Sequence, residues 1–103
     1  MPYLLALDEG TTSARAVVFD ERGRALAEGR RRLTNHYPQA GWVEQDAAEV
    51  WQAQHAAAAD ALKSAGLTGT DLAAIGITNQ RETTVVWDAE TGEPAGPAIV
   101  WQD

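Results

Sequence analysis

Three β-rich runs open the chain, joined by turns too short to cross a sheet. Tyr3 to Leu7 is an apolar run, Ala14 to Asp20 carries Val17, Val18 and Phe19, and Ala25 to Leu33 returns with a weaker pattern. Asp8 to Ser13 joins the first two as a tight polar loop, and Glu21-Arg22-Gly23-Arg24 joins the second pair as a hairpin turn with Gly23 free to take positive φ. A parallel pair needs a crossover of a dozen or more residues, so these strands must pair antiparallel.

Beyond Leu33 the pattern changes. Thr34 to Gln45 is irregular, with His36, Tyr37, Pro38, Gly41 and Trp42. Asp46 then starts a helix as its N-cap, and Glu49 stands at the capping-box position. Val50, Trp51, Ala58, Leu62 and Ala65 fall on one apolar stripe, the alanines favour helix, and Gly66 is a natural stop. Leu72 to Thr78 reads as another buried strand. Thr83 to Asp88 and Pro97 to Trp101 read as a strand pair around the breaker cluster Glu90-Thr91-Gly92-Glu93-Pro94. The order βββαβ plus a hairpin predicts an α/β domain with a mixed sheet. At 103 residues the chain suits one domain that buries roughly two thirds of its unfolded surface.

Charge narrows the function. Fifteen acidic residues against eight basic ones give a net charge of −7, which argues against a nucleic-acid or anionic-membrane surface. The one basic run, Arg30-Arg31-Arg32, reads as a solvated strand face or edge. There is no cysteine, hence no disulfide framework or thiolate metal site. The N-terminus lacks a basic n-region, and no stretch approaches the ~20 apolar residues of a membrane span. A soluble, cytoplasmic protein is expected. The sequence stops at Trp101-Gln102-Asp103, directly after the strand-like Ala98-Ile99-Val100, which suggests a piece of a longer protein.

Two segments carry chemistry. In Asp8-Glu9-Gly10-Thr11-Thr12-Ser13, Asp8 follows an apolar strand, Gly10 permits close backbone approach, and three hydroxyls stand beside successive N–H groups, a nest that suits phosphate. Asp8 suits Mg²⁺ or its waters, because Mg²⁺ takes few carboxylates. The residues alone fit an ordinary Asp/Gly/Thr hairpin turn as well. Neither a Walker-A pattern nor GxGxxG is present. In Asn79 to Asp88, Arg81-Glu82 sits between two apolar runs, and strand ends are where α/β proteins place ligand-binding groups. An Arg beside a Glu offers a polyol both donors and acceptors, although an exposed ion pair of little energetic value fits the same spacing. Trp101 is either a core aromatic or a ligand wall. His55, Trp42 and Trp87 read as packing residues, Glu44 and Asp46 as loop and cap groups, and His36 lacks a second ligand for a metal. Arg15 is either a strand-face charge or a group reaching the phosphate region.

Leu7-Asp8-Glu9-Gly10-Thr11-Thr12-Ser13-Ala14-Arg15-Ala16 resembles the first phosphate motif of the sugar and polyol kinases in the actin/hexokinase/Hsp70 superfamily. Gly41 to Asp46, Ile75 to Thr84 and Ala98 to Asp103 narrow the resemblance to the glycerol kinases, and together the motifs span essentially the whole chain. The resemblance implies a ribonuclease H-like actin/hexokinase-type ATPase lobe that is incomplete here, residues 1–103 being the N-terminal part of the first, substrate-side lobe of a two-lobe enzyme. It implies phosphorylation of glycerol by ATP and Mg²⁺. Arg81, Glu82 and Trp101 would bind glycerol, and Gly10, Thr11, Thr12, Ser13 and Arg15 the nucleotide. Asp8 would serve as catalytic and metal-binding residue, and the general base would come from the rest of the chain. The remainder of the kinase is the implied partner, with a homo-oligomer at full length. Glu9 departs from the family pattern, where Gln is more usual. Other expectations stay open: a kinase of another polyol or pentose, a nucleotide-driven scaffold of the same superfamily, and an inactive fragment.

Overall fold

The computed structural model describes residues 2–102; Met1 and Asp103, the last residue of the Ala98–Asp103 motif, lie outside the described residues. The meander forms as expected. Strand β1 (Tyr3–Glu9) pairs antiparallel with β2 (Ser13–Phe19), and β2 with β3 (Ala25–Arg32). The second turn is closed by the buried Asp20, whose carboxylate accepts the backbone N–H groups of Arg22 at 2.9 Å and Arg24 at 3.0 Å, and the Arg24 Nε–H at 2.9 Å. Those bonds, the Arg24 backbone donor first, hold the Asp20 carboxyl below its ordinary range. Gly23 supplies the left-handed φ of 78° that the turn requires.

The chain then passes through β4 (Glu44–Gln45) into the helix α1 (Ala47–Ala65). Asp46 caps its start, accepting from the N–H of Ala48, while Gly66 in the left-handed region ends it with Leu67 N–H bonded to Leu62 O at 2.9 Å. The capping box does not close. The Glu49 carboxylate turns instead to the N–H of Thr34 at 2.9 Å and so ties the helix to the segment after β3. A 3₁₀ turn (Gly69–Asp71) leads into β5 (Leu72–Thr78), which pairs parallel with β1, as a helical crossover permits. The resulting mixed sheet has the order β3-β2-β1-β5.

Helix α1 packs on β2 and β3 and reaches β1 only marginally. The core comprises Leu5, Ala16, Val18, Ala57 and Ala61, ringed by Tyr3, Leu7, Leu62, Leu67 and Leu72. Its thinness has a cause: a Cβ on Gly29 would stand 2.0 Å from the Ala57 carbonyl oxygen, so helix and strand touch backbone to backbone. The fully buried face is Ala53, Gln54, Ala57 and Ala61; of the stripe read from the sequence, Val50, Ala58, Leu62 and Ala65 lie half-buried along its border, and Trp51 alone falls outside. Trp51 is exposed and tilts against the exposed ring of His55 at 5.7 Å, so neither packs in the core.

Two further expectations need correction. Strand β5 is not buried: Ile75 is 54% and Ile77 74% exposed, because β5 is the last strand of this sheet and lies beyond the reach of α1. The expected strand pair at 83–101 is reduced to single bridges, Thr84 to Ile99 and Trp87 to Pro94. Pro94 and Pro97 have no N–H to extend a ladder. Instead β6 (Ala98–Ile99) pairs antiparallel with β4, inside the segment expected to be irregular.

Candidate functional site

Strand β1 carries Asp8 and Glu9 as its last two residues, just before the loop to β2, and β5 ends by delivering Asn79 and Gln80 into the loop after it. Because β1 and β5 are parallel neighbours, with Asp8 level with Thr78, both loops emerge at the same edge of the sheet. Between them lies a cleft of about 490 Å³, lined by Asp8, Glu9, Gly10 and Thr11 from one loop and by Asn79, Gln80, Arg81, Glu82 and Trp101 from the other part of the chain.

The first loop is a tight reversal, closed by Gly10 N–H to Ser13 O at 3.0 Å. A Cβ at Gly10 would meet that same oxygen at 2.9 Å, so glycine is needed here for the chain's approach to itself. Asp8 is exposed, and its carboxylate has no hydrogen-bond partner among the described residues. Thr12 and Ser13 turn out of the cleft's lining; Thr12 O accepts from Leu33 N–H at 2.9 Å. Arg15 lies level with Asp8 across the β1–β2 ladder, yet its Nε–H donates to Glu28 at 2.8 Å and it does not line the cleft. That bond, with the charge of Glu28, raises the Arg15 pKa further.

Arg81 and Glu82 form the exposed tip of the second loop. Glu82 has φ 65°, the single non-glycine residue in the left-handed region among the described residues. Such a conformation is uncommon for a residue with a Cβ and concentrates at ligand sites. Trp101 is 54% exposed, so it is a wall of the cleft and not a core aromatic. Its indole Nε1–H donates to the Thr11 hydroxyl at 2.8 Å, joining the two halves of the site directly.

Two features escaped sequence reasoning. The strain at Glu82 has no sequence signal. Gln45 and Gln80, neutral amides in motifs where the charged neighbours drew attention, bridge the loops: Gln80 Nε2–H donates to Gly10 O at 2.9 Å and Gln45 Nε2–H to Thr11 O at 2.8 Å. Glu9, which the sequence marks as a departure from the family pattern, points both carboxylate oxygens away from solvent with no hydrogen-bond partner among the described residues. Its carboxyl is pushed up to about 7 by burial first and by the charge of Asp8 second. It borders a neighbouring cavity of about 400 Å³ walled by Leu7, Val50, Ile77 and Val85.

A mixed sheet with one covering helix opens a polar cleft at the ends of two parallel strands, an arrangement that matches the actin/hexokinase-like ATPase fold. The chain belongs to the FGGY family of carbohydrate kinases, whose N-terminal domain matches residues 3–103. It is 58% identical over 103 residues to the glycerol kinase of Acidovorax ebreus, covering 100% of this chain and 21% of that protein. It is 56% identical over 101 residues to the glycerol kinase of Deinococcus radiodurans, covering 98% of this chain and 20% of the relative. Among solved structures it is similar to Plasmodium falciparum glycerol kinase with ADP, with TM-score 0.83 and 29% identity over 100% of this chain and 21% of that one. Xylulose kinase from Rhodospirillum rubrum superposes with TM-score 0.86 at 28% identity, over 98% of this chain and 20% of that one. The chain thus spans about a fifth of the length of the relatives it matches. The fold class read from the sequence, a mixed-sheet α/β ATPase lobe, agrees with these structures.

Proposed function

We propose that residues 1–103 are the N-terminal part of the substrate-side lobe of a glycerol kinase, a cytoplasmic enzyme that transfers the γ-phosphoryl group of ATP to a terminal hydroxyl of glycerol. The observation that carries this reading is the shared cleft, in which the Asp8–Thr11 turn and the Arg81–Glu82 turn face one ligand volume and are joined by the Trp101–Thr11 bond. Among the described residues no helix is long and apolar enough to cross a membrane.

Each role rests on the chemistry of its group. Glu82 accepts from glycerol hydroxyls, Arg81 donates to them and offsets the carboxylate's charge, and the exposed ring of Trp101 covers the carbon chain. Gly10 and Thr11 lie on the phosphate side of the cleft. Thr12, Ser13 and Arg15 would join them only with a change in the loop or release of Arg15 from Glu28. Asp8 fits Mg²⁺ held through waters, because its carboxylate is exposed, unpartnered and inside the cleft. The bound ion supplies charge neutralisation on the transferring phosphoryl oxygens. In the transfer the bond from the γ-phosphorus to the bridging oxygen breaks, a bond to the glycerol oxygen forms, and ADP leaves. The hydroxyl proton passes to a base outside these residues.

The test is glycerol-dependent ADP release from Mg-ATP by the complete protein, beside pentoses and tetritols. Preference for glycerol upholds the assignment. Preference for a pentose supports a second reading that the similarity to a xylulose kinase structure keeps in view. ADP release with no acceptor at all moves the protein to a nucleotide-driven scaffold.

A further inference from the structure

A closed ring of hydrogen bonds links the two loops through residues that do not face the ligand with a charge. Gln45 Nε2 donates to Thr11 O at 2.8 Å and to Asn35 Oδ1 at 2.6 Å. Gln45 Oε1 accepts from Gln80 Nε2 at 3.0 Å, and Gln80 Nε2 also donates to Gly10 O at 2.9 Å. Gln80 Oε1 accepts from the Thr83 hydroxyl at 3.0 Å, which itself accepts the Trp101 backbone N–H at 3.2 Å. Trp101 Nε1–H closes the ring on the Thr11 hydroxyl.

Each amide nitrogen has two hydrogens, and in both glutamines both are used on oxygen acceptors. The direction of the relay is therefore fixed, and an acceptor-only carboxylate at either position sets oxygen against oxygen. Gln45 is 1% exposed, so a broken bond there is not repaired by bulk water. The Thr83-to-Gln80 bond also spans the two residues between its ends, Arg81 and Glu82, and so braces the turn that holds Glu82 left-handed.

We propose that Gln45 and Gln80 are positioning residues, forming an amide relay that locks the acceptor turn in register with the phosphate turn. The inference rests on the glycerol-kinase reading for its substrate. Gln80→Glu and Gln45→Glu keep size and reverse the donors; Thr83→Val keeps shape and cuts the link to Trp101 without touching ligand. Measured in the complete protein, Gln80→Glu lowers kcat about tenfold or more and raises the acceptor KM, as misregister of reacting groups does. The KM for MgATP stays near wild type. Thr83→Val shows the same split at smaller amplitude, and the Gln80→Glu/Thr83→Val double variant is no worse than Gln80→Glu alone, because both cut one relay. If Gln80→Glu does not fold, Thr83→Val and Gln45→Glu carry the test. Wild-type kcat and acceptor KM in the variants that fold overturn the relay, as does a kcat loss that only tracks a fall in Tm or adds fully in the double variant. The functional reading fails separately. A wild type that prefers another acceptor keeps the relay open to the same measurement with that acceptor, and a wild type without any acceptor turnover removes both.

Discussion

Val18 and Ile77 are aliphatic residues on strands of one sheet, yet Val18 is fully buried and Ile77 keeps 74% of its surface exposed. Val18 lies on β2, under α1, and is one of a connected set of buried side chains from two strands and a helix. Ile77 lies on β5, which α1 does not cover. The contrast extends along the chain. After Ala61, the buried apolar residues among those described are Ala98 and Val100, whereas Ile75, Val85, Val86 and Trp87 are exposed. The meander with its helix is packed; the part that carries Arg81, Glu82 and Trp101 is held by directed polar bonds, such as Gln80 to Gly10 and Trp101 to Thr11. Packing fixes a frame, and the polar ties set the site against it.

That division predicts which changes cost chemistry and which cost stability. The largest effect expected is on turnover: Asp8→Ala in the complete protein lowers kcat by about a hundredfold or more, the size of a lost electrostatic contact at a reacting centre, with glycerol affinity little changed. Unchanged turnover removes the metal role from Asp8. Next is Gly29→Ala, which forces a methyl group into the Ala57 backbone and should cost about 3 kcal/mol by urea unfolding, the upper range of overpacking. An unmoved midpoint means that α1 sits farther from β3. Ile77→Ser sharpens the contrast itself. It should cost about 2 kcal/mol in the complete protein if further chain covers β5, and close to nothing if that face meets water.

A separate effect is set by pH. The Glu9 carboxyl is raised from an ordinary 4.5 to about 7 in the folded state, so between those values the folded chain binds more protons than the unfolded one. Stability therefore falls as pH rises across that window and levels off above it. Glu9→Gln, compared without metal, should exceed the wild type in Tm above pH 7 and converge with it below 4.5. Parallel Tm–pH curves would falsify the burial of an uncompensated carboxyl at this position.

The packed part was legible in the sequence because its signals are local. The turns at Asp8–Ser13 and Glu21–Arg24 forced the antiparallel meander, and Asp46 and Gly66 marked α1 to within a residue. The apolar side of α1 was legible at Val50, Ala58, Leu62 and Ala65, but not its most buried line through Ala57 and Ala61, because that depends on how near Gly29 lets β3 approach, a contact between residues far apart in sequence. The exposure of β5 was missed for a related reason: an apolar run reports an intention to be covered, and the cover is not among these residues. At the site, the motif that resembles glycerol kinases pointed to Asp8, Gly10, Thr11, Arg81, Glu82 and Trp101, and these line one cleft. Thr12, Ser13 and Arg15 do not: the carbonyls of Thr12 and Ser13 are engaged by Leu33 N–H and Gly10 N–H in closing the turn, and Arg15 is held by Glu28. The relay through Gln45, Gln80 and Thr83 carries neither charge nor periodicity, and only the pairing of β4 with β6 brings Gln45 beneath the loops.

The left-handed backbone at Glu82 has a consequence for what can ever replace it. At φ 65° most side chains with a Cβ are penalised by about 1–2 kcal/mol, glycine is at ease, and Asn and Asp are tolerated. A library randomised at position 82 and sorted for folding alone should return Gly, Asn and Asp. The same library sorted for phosphorylation should return Glu, with Asp as its one weak competitor, because only these two bring a carboxylate. On the proposed role of Glu82, selection for foldability favours glycine at this codon and selection for turnover favours a carboxylate, with Asp the one residue that partly serves both.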